Sequence, residues 1–442
     1  MLDKRDIRFF PVFIGATIAI LLEEIAILVD EIVIGSISTD EAFASVNLIE
    51  PYIYFEVFIG YLISVAAAAF IVRAHGAGDH KKMGDLFSQT LIVCGICGII
   101  LTSIYTLFTP DLVRLVADDP AVYDGALDYF NAMRFDPLVD LFDTFLFTYV
   151  LYRGGYVQYY VAGVSRVGIN ALLSWQLGLQ MGLFGVGLAS VISIMVELLI
   201  ICTFLFTKKH GIRFRWHLNF REVLEIARVG FPESALAIFM VLFEMVVNTN
   251  TLENYGASGV AAVAIVINVF EFVFYLSEGI SDYEIVAMND SIGKNSSERM
   301  DYSIKITKRA AMIEGIVLTA IILCTSFIMP AAFDIDDAET AGRATIMLII
   351  LAPATIFICF SRVAGIFYQY TRRVLRAIVM IGMAIAVLPI LFSMLFGQIA
   401  LEGIAVGIAS GPVVAIGLMY GYVRFIKKEK LFSYGMCKVQ EV

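Results

Sequence analysis

Charge is scarce in this chain. Asp, Glu, Lys and Arg make up 16% of its 442 residues, 60% are hydrophobic, and the mean hydropathy is +0.84. Soluble domains carry about 25% charged residues, so the shortage excludes an ordinary soluble protein and points to a polytopic membrane protein. Cysteine is sparse as well. Cys94, Cys97, Cys202, Cys324, Cys359 and Cys437 fall mostly within apolar runs, which excludes a disulfide framework and a zinc site. Cys94 and Cys97 form a C-x-x-C spacing, but the apolar run around them supplies no further ligand. The four histidines, His75, His80, His210 and His217, lie in basic connections between apolar runs, so no histidine relay is expected inside a membrane. A cleavable signal is missing too. Lys4, Arg5 and Arg8 precede an apolar run that is too long for a signal core and has no small-residue cleavage site, so that run is expected to remain as a span.

Apolar runs are what the chain has in abundance. Windows of about 20 apolar residues give twelve expected spans, at 11–37, 42–72, 86–108, 123–149, 157–177 and 183–206, then 229–252, 260–288, 310–329, 344–368, 374–396 and 404–425. Basic residues such as Lys81, Lys82, Arg213, Arg215, Lys305, Lys308, Arg372 and Arg373 gather in the connections on one side, whereas the opposite connections near Asp111 and Asp334 are acidic. The excess of Lys and Arg marks the cytoplasmic side. A multi-pass protein of the cell membrane with both termini in the cytoplasm is therefore expected. The chain also repeats itself: FASVNLIEPYIYFEVFIG resembles VAAVAIVINVFEFVFYLSEG, at an offset of roughly 218 residues, as in transporters built from repeats. The fold class expected is all-α, with twelve transmembrane helices in two pseudo-symmetric six-helix lobes. Residues 1–207 and 223–442 form the lobes, joined by a cytoplasmic linker at 208–222.

The few acids within the spans are candidate functional residues. Ala26 to Gly35 reads AILVDEIVIG, an apolar stretch carrying Asp30 and Glu31. Ionised carboxylates are costly near a bilayer midplane, so acids kept there point to a site. Glu23 and Glu24 lie seven residues earlier, close to two helical turns, so they stack over Asp30 and Glu31. Asp136, Asp140 and Asp143 fall at i, i+4 and i+7 beside Pro137, either as a binding face or as partners of Arg134 or Arg166. Glu271, Glu278 and Asp282 form a second stripe that Glu244 is placed to face; Asp282 and Glu284 also fit a water-exposed mouth. A surface with more acids than bases attracts organic cations. Clustered carboxylates cannot all carry charge at once, so protons, sodium and substrate would compete there. Tyr52, Tyr54, Phe270 and Phe274 are available to stack on a flat cation or to fill the core.

Several motifs together resemble the multidrug and toxic compound extrusion (MATE) transporters. They are LVDEIVIG at 28–35, HGAGDHKKMGDLF at 75–87, NALLS at 170–174, GLFGVGLASVIS at 182–193, GFPESA at 230–235 and YGASGVAAVA at 255–264. The resemblance implies two six-helix lobes around a central cavity that opens alternately to either side, with cationic drugs exported in exchange for protons or sodium. It also implies a cation site formed by Asp30, a fifth-helix N-x-x-x-D pair and a sixth-helix threonine. This chain has Asn170, then Ser174 in place of the acid, and Ser190 in place of the threonine. The ion-coupling set is thus Asp30, Asn170, Ser174 and Ser190, with any sodium held at Asp30. The substrate- or proton-binding set is Asp136, Asp140, Asp143, Glu244, Glu271 and Glu278. Some branches place an acid eight residues after the seventh-helix proline; here that position is Met240, with Glu244 one turn on and Glu233 beside Pro232. No cofactor beyond the coupling ion is expected. The expected partners are small organic cations and the bilayer, with no nucleic acid, and the chain is expected to work as a monomer.

Two alternatives fit less of the sequence. A flippase or exporter of lipid-linked saccharide would need several bases to hold pyrophosphate, yet Arg134, Arg166 and Arg362 stand against more than a dozen acids within the spans. An intramembrane aspartyl protease would use the GAGD at 76–79 and the Tyr123–Asp124 pair, two aspartates sharing a proton. GAGD lies among His75, His80, Lys81 and Lys82 in a loop, and Asp124 belongs near the opposite face, so an enzyme is not expected. No nucleotide-binding motif is present to power primary transport.

Overall fold

The computed structural model describes residues 9–37, 45–117, 120–208, 210–333, 335 and 337–433. The described residues are helical, with no strand. In chain order the long helices are α1 (Phe9–Ile37), α2 (Ser45–Gly76), α3 (His80–Val116), α4 (Pro120–Met133 and Asp136–Tyr152), α5 (Tyr156–Met181) and α6 (Leu183–Phe206). Then come α7 (Phe220–Gly256), α8 (Ser258–Gly293), α9 (Ser297–Thr325), α10 (Ala338–Tyr370), α11 (Val374–Phe396) and α12 (Glu402–Ile426). Among the described residues eight of these, α2, α3, α6, α7, α8, α10, α11 and α12, are long and apolar enough to cross a membrane. Three of the other four deviate for physical reasons: a kink divides α4, Arg166, Asn170 and Ser174 dilute α5, and α9 opens on the charged run SERMDYSIKITKR, while many side chains of α1 lie outside the described residues.

Side-chain caps set where helices begin. Asp79 caps α3 by accepting the Lys82 N–H at 2.9 Å, and Gly78 turns the chain at φ 72°. GAGD is therefore a helix stop followed by a helix start, and its aspartate is occupied in that role. Asp337 caps α10, accepting from the Thr340 N–H at 2.8 Å and the Thr340 hydroxyl at 2.6 Å. Those donors hold its carboxyl below the usual range.

The chain divides into two compact units, one ending at Gly230 and the other beginning at Phe231, within α7. In the first, α2 packs on α3 and α4, α3 on α4, α4 on α6 and α5 on α6. In the second the pairings six helices later recur: α8 on α9 and α10, α9 on α10, α10 on α12 and α11 on α12.

The fourth helix of each half is broken at a proline. In α4 the helix stops at Met133 and restarts at Asp136, ahead of Pro137; in α10 a tighter turn runs from Ala352 to Ala354 across Pro353. Proline lacks the N–H that would continue the ladder, so the break falls beside it. A glycine on the preceding helix fits against each break. A Cβ on Gly98 would stand 2.9 Å from Leu138 Cα, and one on Gly315 only 2.5 Å from Ile356 Cα. At α10 the hydroxyls of Thr319 and Thr355 donate to the Ala352 and Gly315 carbonyls at 3.0 and 2.8 Å, replacing bonds lost at the kink.

Candidate functional site

The break in α4 places acids where an unbroken apolar helix would have none. Asp136 opens the second segment of α4 and is buried, with no partner on its Oδ1. Its charge interacts with Asp140, one turn on, and with Glu56 of α2, which is also buried and has no partner on Oε2. The Tyr105 hydroxyl of α3 sits against Glu56 and donates to the Tyr52 carbonyl at 3.2 Å. One turn below, the Thr144 hydroxyl donates to Asp140 at 3.4 Å.

Asp143 continues the α4 stripe and meets Glu197 of α6 in a side-chain hydrogen bond. Both are at least 97% buried. Arg166 of α5 binds the far side of Glu197 at 3.2 Å, and its charge also reaches Asp136 and Asp143. Arg134, the other base expected to serve the stripe, lies over the Phe135 ring at 5.1 Å. Asp136, Asp143 and Glu197 thus interact with Arg166, while Asp140 and Glu56 join the group through Asp136.

The Asn170 amide donates to Ser190 Oγ at 3.2 Å, joining α5 to α6. Ser174 is fully buried one turn beyond Asn170. Arg166, Asn170 and Ser174 recur every four residues on α5, and Ser190, Ser193 and Glu197 at spacings of three and four on α6, so the two helices share one polar seam. Asp30 lies on α1, but its side chain, like those of Glu23, Glu24 and Glu31, lies outside the described residues.

The second unit is organised around a base. Arg362 of α10 and Glu233 of α7 form an ion pair at 2.8 Å, with only 2% and 4% of their side chains exposed. The guanidinium also lies 5.1 Å from the Phe274 ring, and the charges of Glu278 and Asp282 act on it. Glu278 and Asp282 are therefore partners of Arg362 within an acidic group, while Glu271 is half-buried one helical stretch earlier. Glu244 is exposed and accepts from the Asn248 amide at 3.4 Å. Glu284 does not lie at a water-exposed mouth: it is fully buried with neither carboxylate oxygen partnered. The reason is helical phase, since Glu284 and Asp282 are two residues apart and point to different sides of α8.

Beyond the spans, His210 is buried against Phe87 and Tyr149, with its Nδ1 2.8 Å from the Tyr149 hydroxyl. Burial and the nearby Arg153 charge push its imidazole below the usual value of 6.5.

Glu56 and Glu197 were absent from the candidate set drawn from spacing. Each stands alone in its run, without the i, i+4 companion that picks out Asp136 and Asp140, but the criterion applied to Asp30 covers both: an acid in the middle of an apolar span.

Comparison with known proteins places these features. A family model described as MatE matches residues 16–175 and 234–395. The chain is 26% identical over 431 residues to a probable multidrug resistance protein, YoeA, of Bacillus subtilis, covering 93% of this chain and 91% of that protein. It is 22% identical to the multidrug export protein MepA of Staphylococcus haemolyticus over 71% of this chain and 69% of that one. A crystal structure of a MATE P26A mutant superposes with a TM-score of 0.86 at 19% identity, over 97% of this chain and 99% of the other. An outward-facing multidrug resistance MATE family transporter of the MOP superfamily gives 0.85 at 20% identity, over 95% of each. At that identity the structural likeness shows the fold.

Proposed function

The chain belongs to the MatE family, and from that premise we propose that it is a secondary antiporter exporting hydrophobic organic cations in exchange for protons or sodium by alternating access. The observation that carries the coupling half of this reading is the group of three buried carboxyls, Asp136, Asp143 and Glu197, on Arg166 in the first unit, with buried Glu56 beside Asp136. One guanidinium cannot neutralise three buried carboxylates in a medium of low dielectric, so the remainder must hold protons or bind a cation. A site of that kind exchanges its cation as water reaches it from one side and then the other. Asn170, Ser174 and Ser190 extend the same group along α5 and α6, and Asp30 is the further ion-coupling residue that the family resemblance implies. Two relatives that carry multidrug resistance or export in their names support the drug half. Acids in excess of bases favour cationic drugs. An anionic lipid-linked substrate fits less well, because both Arg166 and Arg362 are engaged by Glu197 and Glu233.

The test is ethidium efflux from proteoliposomes holding the full chain, driven by an imposed pH or sodium gradient without ATP. Efflux is expected under one gradient and lost in Asp136→Asn and Glu197→Gln proteins that melt as wild type does. Efflux that ignores both gradients, or survives both substitutions, would remove the coupling site from the first unit.

A further inference from the structure

Between α6 and α7 the chain runs without helix from Gly211 to Asn219. Extended backbone turns successive side chains to opposite sides, and the segment Arg213 to Phe220, reading RFRWHLNF, alternates in step. Of the odd positions, Arg215, His217 and Asn219 are tied down. Arg215 pairs with Asp85 of α3 at 3.2 Å, and its N–H donates to Ser88 Oγ at 2.9 Å. The Asn219 N–H donates to Gln89 Oε1 at 3.4 Å, and its side chain donates to Glu222 at 3.1 Å. His217 lies 3.9 Å from Glu222, which also takes Lys82 at 2.9 Å. Gly84 gives the segment room: a Cβ there would stand 3.3 Å from the Arg213 carbonyl oxygen.

The even positions face away. Phe214, Trp216, Leu218 and Phe220 are exposed, Trp216 to 87%. Phe214 and Trp216 pack edge to face on each other at 5.5 Å. An apolar strip of this size on a surface facing only water is unfavourable and marks an interaction site. Two observations say what covers it. The helices on either side of the segment also carry exposed apolar side chains at their near ends, Phe206 of α6 and Leu224 of α7. Exposed bases, Lys208, Arg213 and Arg221, lie beside the strip along the chain, whereas the acids beside it, Asp85 and Glu222, are already paired. Aromatic side chains flanked by Lys and Arg at the ends of spanning helices suit the boundary between headgroups and acyl chains.

We propose that the strip Phe214, Trp216, Leu218 and Phe220, with Arg213 and Arg221, is an interfacial binding site for anionic phospholipid. The site anchors the connection between α6 and α7 in one leaflet while Asp85, Ser88 and Gln89 hold its other edge on the first unit. It does not depend on what the protein exports.

The chain has two tryptophans, Trp175 and Trp216, so Trp175→Phe leaves Trp216 as a single reporter. The full-length protein is reconstituted in phosphatidylcholine vesicles containing brominated phosphatidylglycerol or brominated phosphatidylcholine. Blue-shifted Trp216 emission is expected, half-quenched at a several-fold lower mole fraction of the brominated anionic lipid, since each basic residue at an anionic surface gives roughly a fivefold preference. Arg213→Gln with Arg221→Gln is expected to remove the difference between the lipids and keep the quenching. Should Trp175→Phe not fold, the wild-type signal less that of Trp216→Phe gives the same readout. Equal quenching by the two lipids overturns the proposal. So does quenching by aqueous acrylamide alone, which leaves the strip in water, or a blue shift that grows with protein density and ignores both lipids, which assigns it to a second copy of the chain. A lipid preference that survives removal of both arginines also overturns it.

Discussion

Arg362 and Glu233 show what a buried charge demands of its surroundings. Each is nearly sealed from solvent and each is the other's closest counter-charge, at 2.8 Å. Removing one partner leaves an uncompensated charge in the interior, at a cost of about 3–5 kcal/mol. Arg362→Met is therefore expected to melt well below wild type, and adding Glu233→Gln to restore most of the loss. If single and double variants melt alike in detergent, the pair does not hold this region together. His210 carries the opposite lesson, a base kept neutral. Its folded value lies below the ordinary 6.5, so the folded state resists protonation. The stability this contributes is complete above the unfolded value near 6.5 and is lost as the pH falls from there through the folded value. Between about pH 8 and about pH 5.5 the wild type should lose more melting temperature than His210→Gln; equal losses would place the acid-sensitive group elsewhere. At this scale the sequence was legible wherever acids came in periodic sets, as at Asp136, Asp140 and Asp143. It was opaque where the partner lay far along the chain: Glu233 and Arg362, or Asp143 and Glu197, meet only because their helices pack.

Among the helices, the two proline breaks decide where polar groups enter the core. A proline inside an apolar span marks where a helix breaks, as at Pro137 and Pro353, but no such signal marks the glycines that accept the breaks, because a glycine in an apolar span has several uses. Only the structure shows Gly98 set against Leu138 and Gly315 against Ile356. Helices with such close backbone approach have no room for a side chain. Gly315→Val would place Cγ atoms beyond a Cβ already at 2.5 Å from Ile356 Cα, and α9 would have to withdraw from α10. The expected cost is about 1–3 kcal/mol or more, read as a lower unfolding midpoint. A wild-type midpoint would mean that the break in α10 is compliant. Gly315→Ala should be milder, since it adds one carbon instead of three.

Across the whole molecule, the half-chain repeat read from two apolar segments reappears as a repeat of helix pairings and of broken fourth helices. Sequence similarity between the halves is faint because each unit has specialised its interior: the first gathers acids around Arg166, the second seats Arg362 among Glu233, Glu278 and Asp282. What persists is the backbone requirement of a glycine opposite a proline break, which tolerates little change. Each unit also has its own core, and two buried thiols report on them separately. Cys94 on α3 and Cys359 on α10 are at most 1% exposed. With Cys97, Cys202, Cys324 and Cys437 replaced by serine, each remaining thiol should react with a maleimide only when its own unit opens. Gly315→Val is then expected to lower the temperature at which Cys359 is labelled by about 2–4 °C for each kcal/mol lost, and to leave the Cys94 transition in place. Gly98→Val should do the converse. If both thiols shift together in either variant, the chain unfolds as a single cooperative body, and the repeat would be one of packing pattern without independent stability.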